Sequence, residues 1–310
     1  MTLPAVGFLG PEGTFTAEAA HRAAPDHRRV PLPTIAEVFR AVRERSVDLG
    51  VVPIENLIEG SVNATLDELA FGPGGEYVRG ELLLPVSLHL LARPGISVDQ
   101  LVAVRSMPHA LAQSREWLAA NAPQAAQEAA TSTAEAAREV AEESDRPVAA
   151  IGTLLAAERF GLAILARDVH EHDDNVTRFA LLAPSMHAPT GADKTSLVVF
   201  FGEDRPGLLL RILDEFALRG INLTKIESRP AKTRMGEYGI FIDAEGHPAE
   251  PRLAEALRSV HRHVAELRVL GALPRADLQP AHVEPRDAAD AYAEAASWYA
   301  QLLGRIDGAN

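Results

Sequence analysis

Leu49-Gly50-Val51-Val52-Pro53-Ile54-Glu55-Asn56-Leu57-Ile58-Glu59-Gly60-Ser61-Val62 decides how the fold is read. Its first six residues carry no charge, and a carboxylate and an amide follow directly. A short unbroken apolar run of this kind reads as a strand buried on both faces, in a mostly parallel sheet with helices on either side. In open sheets of that type ligands bind beyond the carboxyl ends of the strands, where Glu55 and Asn56 stand. An ordinary turn, with Asn56 capping the next helix, accounts for the same residues equally simply.

Upstream, Ala5 to Leu9 is another short apolar run, stopped by Gly10-Pro11, and Phe15 to Ala24 reads as a helix. Thr34-Ile35-Ala36-Glu37 has capping-box spacing and opens an amphipathic helix with Val38, Phe39 and Val42 on one side. Strand, helix, strand, helix implies an α/β architecture. The loop Gly10-Pro11-Glu12-Gly13-Thr14-Phe15-Thr16 lies between strand and helix, where glycines let the backbone approach a ligand and helix N–H groups favour an anion. It lacks the lysine and the glycine spacing of the known phosphate and dinucleotide loops. Taken alone, a βα turn capped by Thr14 accounts for it.

Downstream, Gly72-Pro73-Gly74-Gly75 is a loop before a new unit. Val86 to Ala92 reads as a strand, and Ala110 to Glu143 as helix interrupted near Asn121-Ala122-Pro123. A second capping box, Ser132-Thr133-Ala134-Glu135, restarts it, and Val148 to Ile151 and Leu162 to Ala166 are strand candidates. Pro184 to Asp193 is rich in Pro, Gly and small residues and reads as a linker. Beyond it come strand Thr195 to Phe201, helix Gly207 to Arg219, strands Asn222 to Ser228 and Tyr238 to Asp243, helix Glu250 to Val260, and strand Ala265 to Leu270. That is βαββαβ, the ferredoxin-like order. Asp287 to Leu303 places Tyr292, Ala296, Tyr299 and Leu303 at helical spacing, a tail suited to docking on a neighbour.

The chain has 310 residues, 47% of them hydrophobic, enough for two domains with cores of their own. Its net charge of −13 disfavours nucleic acid and anionic membranes as partners, while leaving room for an anionic substrate held by a local cation. No cysteine is present, which excludes disulfides, thiolate catalysis and cysteine-held metals. The N-terminus lacks a basic stretch followed by an apolar run, and no apolar segment is long enough for a bilayer. A cytoplasmic setting is expected. His170, His172, Asp173 and Asp174 cluster in sequence, but their spacing matches no zinc-ligand pattern, and a polar loop is the reading adopted.

Asp174-Asn175-Val176-Thr177-Arg178-Phe179 closes the first domain. Together, Gly-Pro-x-Gly-Thr-Phe-Thr at 10–16, Val-Pro-Ile-Glu-Asn at 52–56 followed by Glu-Gly-Ser-Val at 59–62, and Asn-x-Thr-Arg-Phe at 175–179 resemble the prephenate dehydratase family. Asp204-Arg205-Pro206-Gly207-Leu208-Leu209 and Ile226-Glu227-Ser228-Arg229-Pro230 resemble that family's ACT domain, and the likeness runs from residue 3 to about 273. Leu57 stands where the family often has a small polar residue, Met107-Pro108-His109 where His-Pro-Gln is usual, and Leu208 where the ACT motif has Ala.

The resemblance implies a two-lobed catalytic domain like a type-II periplasmic binding protein over 1–184, with lobe one at 1–78 and 168–184 and lobe two at 80–167. It further implies a linker at 185–194, an ACT regulatory domain at 195–273 and a helical tail at 274–310. The implied reaction is the decarboxylating dehydration of prephenate to phenylpyruvate, with no cofactor and no metal. Implied catalytic residues are Thr177, Glu55, Asn56, Arg178 and Phe179, and implied substrate contacts are Thr14, Ser61, Ser106, Gln113 and Ser132. An effector amino acid, expected to be phenylalanine, would meet Gly207, Leu208, Leu209, Asn222, Leu223, Glu227, Ser228, Arg229 and Pro230 in a homodimer or homotetramer.

Thr177 is the residue the family assigns to protonating the leaving hydroxyl. A threonine hydroxyl is a weak acid, so it is expected to act as a positioned donor or relay. Glu55, kept protonated by burial, is the alternative acid. The departing carboxylate loses its charge in the transition state, so a cation on it would favour the ground state. If Arg178 touches substrate, it should therefore hold the retained side-chain carboxylate. Two rivals remain open: the same chemistry on L-arogenate, and a two-lobed amino-acid sensor without catalysis.

Overall fold

The computed structural model describes residues 3–171, 174–202, 205–230 and 238–305. His172, Asp173 and Asp204 therefore lie outside the described residues. The chain forms two compact units, Met1–Glu68 with Leu82–Pro184, and Leu69–Glu81 with Ser185–Asn310.

The first unit holds two sheets. Its chain begins with β1 (Ala5–Leu9), α1 (Phe15–Ala23), β2 (Arg28–Leu32), α2 (Ile35–Arg43), β3 (Leu49–Asn56) and β4 (Gly60–Ser61). After α3 (Asn63–Phe71), β5 (Tyr77–Pro85) completes this first stretch. The second sheet is built from β6 (His89–Ala92), β7 (Ala103–Ser106), α4 (Pro108–Gln113), α5 (Arg115–Asn121), β8 (Ala126–Ala129), α6 (Thr133–Glu142), β9 (Val148–Gly152), α7 (Leu154–Phe160) and β10 (Ala163–Ala166). The chain then returns to the first sheet as β11 (Val176–Ala183). The strand orders are β2-β1-β3-β11-β5, with β4 on β3, and β10-β6-β9-β7-β8. Each sheet is one lobe of the expected two-lobed α/β architecture.

The helices start where hydroxyl caps are available. Thr14, Thr34, Ser132 and Thr153 each accept a bond from the backbone N–H three residues on, satisfying a donor that has no partner within the helix. Helix α2 packs so closely on β3 that a Cβ at Gly50 would lie 2.8 Å from Val42 and 2.9 Å from Val38. In the second lobe Leu88, Leu90, Val104 and Ile151 pack beneath Ala110, Leu111 and Leu118 of α4 and α5. Leu91, Ala103, Val148 and Ala150 face the other way, against Ala136, Ala137 and Val140 of α6. Both faces are covered, which is why these strands read as apolar runs without alternation. Ala126–Ala129 is strand β8, not the helix expected there, because Ala122-Pro123 ends α5 and the chain then pairs with β7.

Two crossovers join the lobes and are bonded to one another: Val86 N–H donates to Asn175 O at 2.8 Å and Val169 N–H to Leu88 O at 2.8 Å.

The second unit runs β12 (Asp193–Phe200), α8 (Leu208–Ala217), β13 (Leu223–Pro230), β14 (Tyr238–Glu245), α9 (Pro251–His263), β15 (Glu266–Pro274) and α10 (Ala289–Leu303). Its sheet has the order β13-β14-β12-β15, the ferredoxin-like arrangement expected for βαββαβ. Leu197, Val199, Ile240 and Ile242 pack against Ile212, Phe216, Leu253 and Val260 of α8 and α9. The opposite sheet face receives Leu69–Glu81, which the sequence placed in lobe one and the start of lobe two. Phe71 meets Phe200 with ring centroids 5.6 Å apart, Lys194 Nζ lies 2.7 Å from Glu81, and Gly271 leaves room for the Val78 backbone. Helix α10 has no buried residue. Among the described residues no helix is long and apolar enough to cross a membrane.

Candidate active site

Strands β3 and β11 run antiparallel with Thr177 opposite Asn56 and Arg178 opposite Glu55. Opposed residues share a face and successive residues alternate, so these two pairs must lie on opposite sides of the sheet. The contacts agree. Asn56 Nδ2 donates to Thr177 Oγ1 at 2.9 Å and to Asn175 Oδ1 at 2.8 Å. Asn56 Oδ1 accepts from the backbone N–H groups of Ile58 at 3.0 Å and Glu59 at 3.1 Å, which fixes the orientation of the amide. Because Thr177 accepts from Asn56, its own proton is left for another acceptor.

Thr177 and Asn56 open onto a cavity of about 110 Å³ between the two lobes. Its polar lining is Asn56, Glu59, Asn175 and Thr177 from the first lobe and the crossover, with His109, Gln113 and Thr133 from the second. Phe15, Val86, Leu88, Met107 and Ala110 supply the apolar wall. Phe15 and Thr133 are the first residues of α1 and α6, so two helix N-termini, with their partial positive charge, border the space. His109 Nε2 lies against Glu59 Oε1 across the cleft, and it is also 2.7 Å from Gln113 Nε2.

The other expected site residues do not themselves line the cavity. Arg178 Nη2 donates to Glu55 Oε2 at 2.7 Å on the far side of the strand pair, and neither lines the cavity. Ser61 pairs with Glu55 in the ladder and belongs to that same side. Phe179 follows a register shift and packs in the lobe-one core with Phe8, Val51 and Leu84. Thr14 and Ser132 cap their helices, and Ser106 is buried and donates to Ile151 O at 2.7 Å. Of the expected contacts, Thr177, Asn56 and Gln113 are brought together. Glu59, His109, Thr133 and Asn175 join them. All four stood inside or beside quoted motifs, but only the pairing of strands brings them to one space. Among the described residues no group of three His, Asp or Glu side chains is arranged to hold a metal.

In the second unit Gly207 adopts φ 82° and caps α8 with Leu208 and Leu209 following. Leu223 to Pro230 form β13, the edge strand, in which Glu227 pairs with Lys225 at 3.1 Å and Arg229 at 3.5 Å. Asn222 Nδ2 donates to Glu245 Oε1 at 3.3 Å.

A polar cleft between two α/β lobes, followed by a ferredoxin-like domain, defines a small-molecule cleft protein with an appended ACT unit. A model described as prephenate dehydratase matches residues 6–187, and one for the ACT domain matches 195–262. A prephenate dehydratase of Mycolicibacterium vanbaalenii is 41% identical, over 96% of this chain and 97% of its own. The crystal structure of a prephenate dehydratase from Arthrobacter aurescens in complex with L-Phe is 40% identical with a TM-score of 0.88, covering 97% of this chain and 99% of that one. A structure described as GqqA, a novel type of quorum quenching acylase, is 28% identical with a TM-score of 0.79, over 87% of this chain. The chain belongs to the prephenate dehydratase family, carbon–oxygen lyases that turn prephenate into phenylpyruvate, water and carbon dioxide.

Proposed function

We propose that this chain dehydrates and decarboxylates prephenate, with Thr177 as the group that delivers a hydrogen bond to the leaving ring hydroxyl. What supports the role is the Asn56–Thr177 bond: Thr177 accepts from Asn56, so its own proton is left to donate, and Thr177 lines the cavity. In the reaction the C–C bond to the ring carboxylate breaks and its electron pair enters the ring. The C–O bond breaks as the hydroxyl takes up one proton and departs as water, and carbon dioxide leaves. Thr177 positions and relays that proton, and aromatisation supplies the driving force. Asn56 holds Thr177, and Asn175 holds Asn56. Glu55 is engaged by Arg178 on the other face of the sheet, so the proton-delivery role is given to Thr177.

The enzyme works in the cytoplasm as a homo-oligomer, and phenylalanine is its effector at the ACT unit. The L-Phe complex of the Arthrobacter relative and the match to the ACT model support the effector assignment. A second reading has its own observation: Glu59 puts a carboxylate in the cavity, which would suit the amine of L-arogenate.

The test is phenylpyruvate formation from prephenate, from arogenate as the competing substrate, and with phenylalanine present. Thr177→Val is expected to lower kcat by about 10²- to 10⁴-fold, the usual scale for a lost proton-transfer group, while Thr177→Ser retains most activity. Full activity in Thr177→Val would refute the role.

A further inference from the structure

Prephenate carries two carboxylates, and the cavity must accept that charge. Among its described lining residues one side chain is able to carry positive charge, His109. Arg178, the cation that the motif suggested, faces the other side of the sheet. Glu59 Oε1 of lobe one lies against His109 Nε2 of lobe two, and Gln113 Nε2 is 2.7 Å from the same ring nitrogen. Both partners are partly open to solvent, Glu59 at 51% and His109 at 36%. A pair so exposed is weak and exchangeable.

We infer that His109 is the carboxylate-binding residue of this cleft and that Glu59 is its stand-in ligand, a latch between the lobes that the substrate's retained carboxylate displaces. This rests on the dehydratase reading above. Glu59 thereby acts twice against premature binding: it occupies the His109 ring nitrogen, and its own charge repels a dianion. The departing carboxylate gains nothing from His109, since a cation there would hold charge that must disappear.

Steady-state kinetics with prephenate tests this. His109→Gln is expected to raise KM about tenfold, the scale of one charged hydrogen bond, with a smaller change in kcat. His109→Lys should bring KM back most of the way. Glu59→Gln is expected to lower KM by about two- to fivefold, because a weak exposed pair no longer competes. An unchanged KM in His109→Gln, no recovery in His109→Lys, or a KM that rises in Glu59→Gln overturns the inference. Thr177→Val separates this from the reading beneath it. If that variant loses kcat while His109→Gln leaves KM alone, only the latch is wrong. If Thr177→Val keeps kcat, the dehydratase geometry itself is wrong.

Discussion

Replacing Arg178 by methionine is expected to cost stability and to leave substrate affinity almost unchanged. Arg178 Nη2 lies 2.7 Å from Glu55 Oε2, with side chains 16% and 39% exposed. An exposed pair contributes about 0.2–1 kcal/mol, and removing one partner of a buried pair costs about 3–5 kcal/mol. Glu55 is more than a third exposed, so water takes over part of its charge, and about 1–2 kcal/mol is the expected loss. Methionine keeps most of the aliphatic stem, so packing adds little. For a unit of this size the loss lowers Tm by roughly 2–8 °C, with KM for prephenate held within about twofold. Glu55→Gln with Arg178→Met should destabilise by less than the sum of the single variants, because the two residues touch and each single variant already removes their shared contact. Thermal melts and steady-state kinetics on the three variants provide the numbers. A tenfold rise in KM with an unchanged Tm would mean that Arg178 reaches the substrate, and would refute the alternation argument.

His89 is 3% exposed, and burial holds its pKa below the usual 6.5, outweighing the opposing pull of Asp168. The unfolded chain then binds the extra proton at higher pH than the folded one, so stability is full above about 6.5 and falls as pH drops toward the folded value. His89→Gln should reduce the loss of Tm between about pH 7 and about pH 5, measured by calorimetry; an unaltered acid limb would count against it. Gly271→Ala would drive a Cβ into the Val78 backbone, and backbone cannot step aside as a side chain does. A loss of about 1–3 kcal/mol is expected, with faster amide exchange over residues 69–81, and protection there as in the parent protein would speak against that packing.

Much of the fold is legible along the chain. Thr34 and Ser132 announce α2 and α6 because a hydroxyl followed by Glu three residues later satisfies a helix's first donors. Strands β1 and β3 are legible because both their faces are buried, and the βαββαβ order follows from the C-terminal pattern. Strands β2 and β8 were not legible. Both are sheet edges with polar, exposed residues, Arg28-Arg29 in one and Gln127-Glu128 in the other, so hydrophobic pattern gives them no signal. The side-chain alternation at Thr177-Arg178 and Glu55-Asn56 was open to inspection, since neighbours on a strand cannot share a face. Which face looks into the cleft was not.

By itself the sequence determined the lobes' α/β character, the ACT unit and the family, because local spacing, caps and motifs are properties of neighbouring residues. Tertiary structure alone decided that Asn56 reaches Thr177 across 121 positions, that Arg178 spends its charge on Glu55, and that Glu59 meets His109 across the cleft. Those depend on strand register and on lobe closure, which are set by the packing of distant segments and leave no periodic trace along the chain.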